Sequence, residues 1–143
     1  MSKILLAVDG SESALRATQR LVETIALYKN IPEIELVTVH LPVPRYPGMS
    51  MVISEEMVQS YYTDECEANL QGSKALLDAA GVKYQVHSLV GPIAERIVEL
   101  AMHSKSDLIY MGTRGMGALP SVLLGSVVIK VLHLAKVPVV VVP

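Results

Sequence analysis

The stretch from Asp107 to Val142, "DLIYMGTRGMGALPSVLLGSVVIKVLHLAKVPVVVV", decides the fold. It opens with the short apolar run "DLIYMG" and closes with the apolar run "VPVVVV", and each run is typical of a buried strand. Between them, "GSVVIKVLHLA" carries apolar residues at helical spacing. A strand, a helix and a second strand in this order predict two parallel strands joined by a right-handed crossover.

The same alternation extends back through the whole chain of 143 residues, without a linker long enough to separate domains. We therefore predict one domain over residues 1–143, a doubly wound parallel sheet with helices on both faces. The uninterrupted apolar strands agree, because strands of this kind are buried on both sides. The predicted strands occupy residues 3–8, 33–41, 82–90, 107–112 and 137–142, and the predicted helices residues 11–30, 54–80, 91–106 and 125–135.

Composition argues against several classes of partner. The net charge is −2, the basic residues are scattered, and Phe and Trp are absent, so no nucleic-acid surface is expected. Every apolar run is far shorter than the ~20 residues that span a membrane. The first apolar run stops at Asp9 without a cleavage site, so we expect no signal peptide and a cytoplasmic protein. Cys66 is the single cysteine and the histidines are dispersed, so we predict no metal-binding side-chain cluster.

Glycines are concentrated after the fourth predicted strand. Gly112, Gly115 and Gly117 lie in the turn that leaves it, and Gly125 precedes Ser126 at the start of the fourth helix. Ligands of open α/β sheets bind beyond the carboxyl ends of the strands, and helix N-termini attract phosphate. The stretch therefore predicts a phosphate cradle, with a tight turn and close helix packing as the alternative. It matches neither the lysine-containing phosphate loop nor the dinucleotide fingerprint.

Two charged side chains lie near these candidate loops. Asp9 follows the first strand, where it can contact a ligand or cap the turn and helix that follow. Arg114 lies inside the glycine stretch and can face phosphate or solvent. We find no Ser/His/Asp set, no second acid beside Asp9 and no phosphate-loop lysine, and we therefore predict no catalytic residues.

The spacing Gly112-x2-Gly115-x9-Gly125-Ser126 resembles the nucleotide-binding signature of the ATP-binding universal stress proteins. The segments "ILLAVDGSESA", "VTVHLPVP", "GPIAERIVELA" and "VPVVVVP" are also similar to that family, so the resemblance covers nearly the whole chain. It implies a five-stranded parallel sheet in the order 3-2-1-4-5, a dimer, and ATP, with Mg²⁺, as the ligand.

The resemblance also implies roles for individual residues. In the family, the matching positions contact adenine and ribose after the first strand, line the adenine pocket after the second, and hold ribose and phosphates after the fourth. Those positions here are Ala7, Val8 and Asp9; Val39 and Leu41; Met111, Gly112, Arg114, Gly115, Met116 and Gly117; and Gly125, Ser126 and Val127 at the helix start that receives the triphosphate.

The last strand predicts self-association. The run from Val137 to Val142 is almost wholly apolar, and an exposed edge of this kind is a liability in a monomer. Pairing with the same strand of a second copy across a two-fold axis would cover it, so we expect a homodimer. The functional hypothesis is a dimeric, nucleotide-dependent regulator of the stress response. The alternatives are a weak ATPase or phosphoryl or nucleotidyl transferase, and an adaptor of the same fold that binds no nucleotide.

Overall fold

The computed structural model describes residues 2–48, 52–115 and 123–143. Within these ranges strands and helices alternate as the sequence predicts. The elements are β1 (Lys3–Ala7), α1 (Glu12–Ile25), β2 (Glu33–His40), α2 (Glu55–Ala79), β3 (Tyr84–Val90), α3 (Ile93–His103), β4 (Leu108–Gly112), α4 (Ser126–Leu134) and β5 (Val139–Val142). Among the described residues, no helix is both long and apolar enough to cross a membrane.

The five strands form one parallel sheet in the order β3-β2-β1-β4-β5, which confirms the predicted fold class and strand order. β1 lies in the middle, with Ile4 opposite Ile34 of β2 on one side and Leu108 of β4 on the other. From β1 to β3, each new strand is added on the same side of the sheet. The chain then returns past β1 and adds β4 on its other side. The direction therefore reverses between β1 and β4, and their carboxyl ends lie side by side at this switch point.

Two hydrophobic layers hold the helices against the sheet. Leu6 and Leu36 pack on one face with Leu21 of α1, and Leu5 and Val37 pack on the other with the helices α3 and α4. Successive residues of a strand pack in opposite layers, because side chains alternate between the two faces of a strand. Both faces of the central strands are therefore buried, as their uninterrupted apolar sequences predict.

Helix ends follow local chemistry, and several of them lie inside the predicted boundaries. Ser11 caps α1 by accepting a hydrogen bond from the N–H of Ala14 at 3.1 Å. Pro92 is the N-cap residue of α3, with extended backbone angles, rather than its first helical residue. α1 ends at Ile25 rather than at residue 30, and the N–H of Tyr28 then bonds to the carbonyl oxygen of Ile25 in a tighter, three-residue turn.

Candidate functional site

A cavity of about 750 Å³ opens at the carboxyl ends of β1, β2 and β4. Its size is within the usual range for small-molecule sites, and its place is the switch point where open α/β sheets bind ligands. Every predicted site residue that the structure describes lines it: Ala7, Val8, Asp9, Val39, Leu41, Met111, Gly112, Arg114, Gly115, Gly125, Ser126 and Val127. Met116 and Gly117 were predicted as well and lie outside the described residues.

The structure adds lining residues that the sequence did not single out. Most are apolar or aromatic side chains of the sheet and its covering helices, and two are polar residues of α2. They are Ala14, Val37, His40, Glu65, Asn69, Ile93, Ile97 and Val128. None belongs to a glycine-rich or charged motif, so only the packing of distant segments brings them to the cavity.

The turn between β1 and α1 fixes the carboxylate of Asp9. Its Oδ1 accepts a hydrogen bond from the N–H of Ser11 at 2.9 Å, so Asp9 does cap this turn. The Oδ2 atom faces the loop after β4, 2.6 Å from the position that a Cβ on Gly115 would occupy. One oxygen of Asp9 thus shapes the turn, and the other lies where any side chain at residue 115 would displace it.

The loop that leaves β4 is joined to α1 and to the start of α4. The N–H of Arg114 donates to Ser13 Oγ at 3.3 Å, and the N–H of Gly125 donates to the carbonyl oxygen of Thr113 at 2.7 Å. A Cβ on Gly112 would lie 2.6 Å from backbone atoms of Ser13. Gly112 therefore permits close packing of a strand end on a helix, whereas the alternative that the sequence leaves open is a tight turn for Gly112 and close helix packing for Gly125.

The first turn of α4 lines the cavity through Ser126, Val127 and Val128. Its N-cap residue, Gly125, provides no side-chain cap, and its first turn carries no acidic residue. By contrast, serines cap α1 and α2, and α3 carries Glu95 in its first turn. The positive end of the α4 dipole is thus not offset by its own side chains, and Arg114 adds a cation among the lining residues. This end of the cavity suits an anion.

The cavity also has an apolar wall, formed between β2 and α3. Val39, Ile97 and Met111 contribute buried or nearly buried side chains. The His40 ring packs edge-on against Tyr61, with 5.5 Å between ring centroids. Such walls suit a flat, uncharged ring system rather than a second charged group.

No group of three or more His, Cys, Asp or Glu side chains converges into a metal site within residues 2–48, 52–115 and 123–143. The carboxylates that line the cavity in this part of the chain are those of Asp9 and Glu65.

The fold and the cavity are consistent with the protein family that the sequence matches. The profile of the universal stress protein family matches residues 1–143, and the chain belongs to that family. It is 32% identical to universal stress protein MJ0531 of Methanocaldococcus jannaschii, over 98% of this chain and 81% of that protein.

Solved structures give the same assignment. The structure of MJ0577, a universal stress protein of the same archaeon, superposes with a TM-score of 0.81 at 28% identity, covering 99% of this chain and 94% of that one. A universal stress protein solved in complex with cAMP superposes with a TM-score of 0.67 at 25% identity, covering 99% and 97% of the two chains.

Proposed function

We propose that the cavity binds an adenine nucleotide, ATP with Mg²⁺, and that its occupancy regulates the protein's interactions during the stress response. The observation that carries the proposal is the polarity of a single cavity, which is apolar between β2 and α3 and anion-attracting at the start of α4. An adenine nucleotide matches this polarity, because it has a flat base at one end and anionic phosphates at the other. A similar protein of the family binds cAMP, which supports the adenine class.

The proposed orientation places the base at the apolar end, beside Val39 and Leu41. The phosphates then lie against the backbone N–H groups of Gly115 and Ser126, where Arg114 adds positive charge. The ribose lies between these ends, near Asp9. Mg²⁺ would be held by phosphate oxygens, with Asp9 as a water-mediated ligand, and would neutralise part of the phosphate charge.

Binding is favoured over catalysis by the side chains at hand. The charged residues that line the described part of the cavity are Asp9, Glu65 and Arg114, with no lysine among them. Phosphoryl transfer depends on neutralising charge and positioning a nucleophile, and the described residues offer one cation for this purpose. The proposal is therefore a nucleotide-dependent regulator rather than an efficient ATPase.

Calorimetric titration of ATP and Mg²⁺ into nucleotide-free protein tests this function. We expect one ATP per chain with a micromolar dissociation constant. The variant Gly115→Val should give no binding heat, because its Cβ would lie 2.6 Å from Asp9 Oδ2, while its thermal unfolding should match the wild type. Absence of binding heat from the wild type up to about 1 mM ATP would contradict the proposal, as would full binding by the variant.

We also propose that the protein is a homodimer joined through β5. This strand lies at the edge of the sheet and pairs only with β4 among the described strands. The carbonyl oxygens of Pro138 and Val142 accept hydrogen bonds from β4 and the residue after it. Because backbone groups alternate along a strand, those of Val139 and Val141 face the open edge. The same edge of a second copy can pair with them across a two-fold axis.

A proline on this edge should separate the two copies. We expect light scattering to give twice the chain mass of 15.5 kDa for the wild type and a single chain mass for Val141→Pro, which lacks an outward N–H. Val86→Pro is the matched control, because Val86 has an outward N–H on β3, the opposite edge strand, and should leave the dimer intact. A monomeric wild type, or a dimeric Val141→Pro, would refute the β5 interface.

A further inference from the structure

α2 presents two polar side chains to the cavity, and neither belongs to the glycine loop. Glu65 and Asn69 both line it and are both half-buried. Four residues apart, they lie one helical turn from each other on the same face of α2. Among the residues that the structure describes, Glu65 has no hydrogen bond and no ion pair. Its carboxylate is therefore available to accept a hydrogen bond from a ligand in the cavity.

The position of Glu65 follows from that of Asn69. Asn69 packs against the β1–α1 turn, with its Oδ1 3.2 Å from the point that a Cβ on Gly10 would occupy. Asn69 is therefore next to Asp9. Glu65 lies one helical turn from Asn69 and lines the same cavity. The proposed orientation places the ribose near Asp9, so the ribose is the part of the ligand nearest to this face of α2.

The chemistry of a carboxylate limits what Glu65 can contact. An ionised carboxylate only accepts hydrogen bonds, and it repels phosphate oxygens, which are also negative acceptors. The donors that an adenine nucleotide carries between its base and its phosphates are the two ribose hydroxyls. Asp9 also offers acceptor oxygens, of which Oδ1 already accepts from the N–H of Ser11. Glu65 provides a second carboxylate that lines the same cavity.

We propose that Glu65 accepts a hydrogen bond from one ribose hydroxyl and thereby selects nucleotides that carry this hydroxyl unmodified. This inference rests on the proposed nucleotide function and extends it to the choice among nucleotides. It disfavours the deoxynucleotide that lacks this hydroxyl by a missing hydrogen bond, and a nucleotide phosphorylated there by charge repulsion. If Glu65 acted through repulsion alone, its removal would instead tighten ATP binding. The two explanations therefore predict opposite changes in the affinity for ATP.

Affinities of ATP, 2′-deoxy-ATP and 3′-deoxy-ATP for three proteins test the inference. We expect the wild type to bind at least one deoxy analogue about tenfold or more weaker than ATP, as for loss of a hydrogen bond to a charged group. Glu65→Ala should bind ATP more weakly than the wild type by a similar factor. It should bind that analogue with the same affinity as the wild type, so that it no longer distinguishes ATP from the analogue. Asp64→Asn is the matched control, because Asp64 is an exposed neighbour on α2, and this variant should behave as the wild type.

The outcomes separate this inference from the function on which it rests. If the wild type binds ATP but Glu65→Ala binds it equally well or more tightly and still discriminates against both analogues, Glu65 is not the acceptor. If Asp64→Asn loses discrimination to the same extent, the effect is one of overall charge and the inference is again overturned. If the wild type binds none of the three nucleotides, the proposed function fails together with it.

Discussion

Replacing Ser126 with Glu should lower the affinity for ATP by about a hundredfold or more, equivalent to about 2.7 kcal/mol, without weakening the fold. Ser126 is the first residue of α4, where no acidic side chain offsets the helix dipole. A carboxylate there would take the place of the phosphates and repel them. The same carboxylate interacts favourably with the helix N-terminus, by about 0.3–1 kcal/mol. Calorimetry and thermal unfolding of one protein sample measure both effects.

The variant Ser126→Lys is the matched control, because it adds similar bulk with the opposite charge at the same position. We expect it to retain ATP binding while its unfolding temperature falls slightly, since a cation is unfavourable at a helix N-terminus. Ser126→Glu should therefore be the more stable of the two variants, and Ser126→Lys should bind ATP more tightly. Equal loss of binding in both variants would mean that bulk is responsible, and would contradict an anion site at this helix end.

A single methyl group at Gly112 should cost far more stability than the same change at Gly72. Its Cβ would lie 2.6 Å from the carbonyl carbon of Ser13, and neither the end of β4 nor α1 can move without disturbing the buried core. We expect Gly112→Ala to lower the free energy of unfolding by about 3 kcal/mol, the upper part of the range for overpacked cores. Urea denaturation measures the change.

Gly72→Ala is the control for the physical reason. Its Cβ would also lie 2.6 Å from a neighbour, but that neighbour is the tip of the Leu15 side chain, which can rotate away. Alanine also gains about 1 kcal/mol over glycine in a helix interior, so we expect little net change. A large loss of stability in Gly72→Ala, or a small one in Gly112→Ala, would contradict this reason. It would show that the loss does not depend on whether the added Cβ meets backbone or a mobile side chain.

The fold was predictable because each element carries its own local signal. Uninterrupted apolar runs indicated the strands, and the predicted helical segments 11–30 and 54–80 contain α1 and α2 of the structure. The strand order was different in kind, since it came from the family resemblance rather than from periodicity. The early end of α1 could not be predicted, because Leu27 and Tyr28 continue the apolar pattern yet lie exposed beyond the helix.

The candidate site was predictable only where its residues follow strands β1, β2 and β4 in sequence. A parallel sheet brings these strand ends to one edge, so their loops must meet. Glu65 and Asn69 could not be found in this way, because they lie inside a long helix. Their approach to the cavity depends on the packing of α2 against the β1–α1 turn, and no local sequence pattern encodes that contact.

The most direct test of the nucleotide site is to follow backbone amide resonances of isotope-labelled protein while ATP and Mg²⁺ are added. We expect large shifts at Gly10, Leu41, Gly115 and Ser126, with little change at the distant edge of β3. We also expect Ser126→Glu to abolish these shifts at the same ATP concentration. Shifts elsewhere on the protein, or none at saturating ATP, would contradict the assignment of this cavity to an adenine nucleotide.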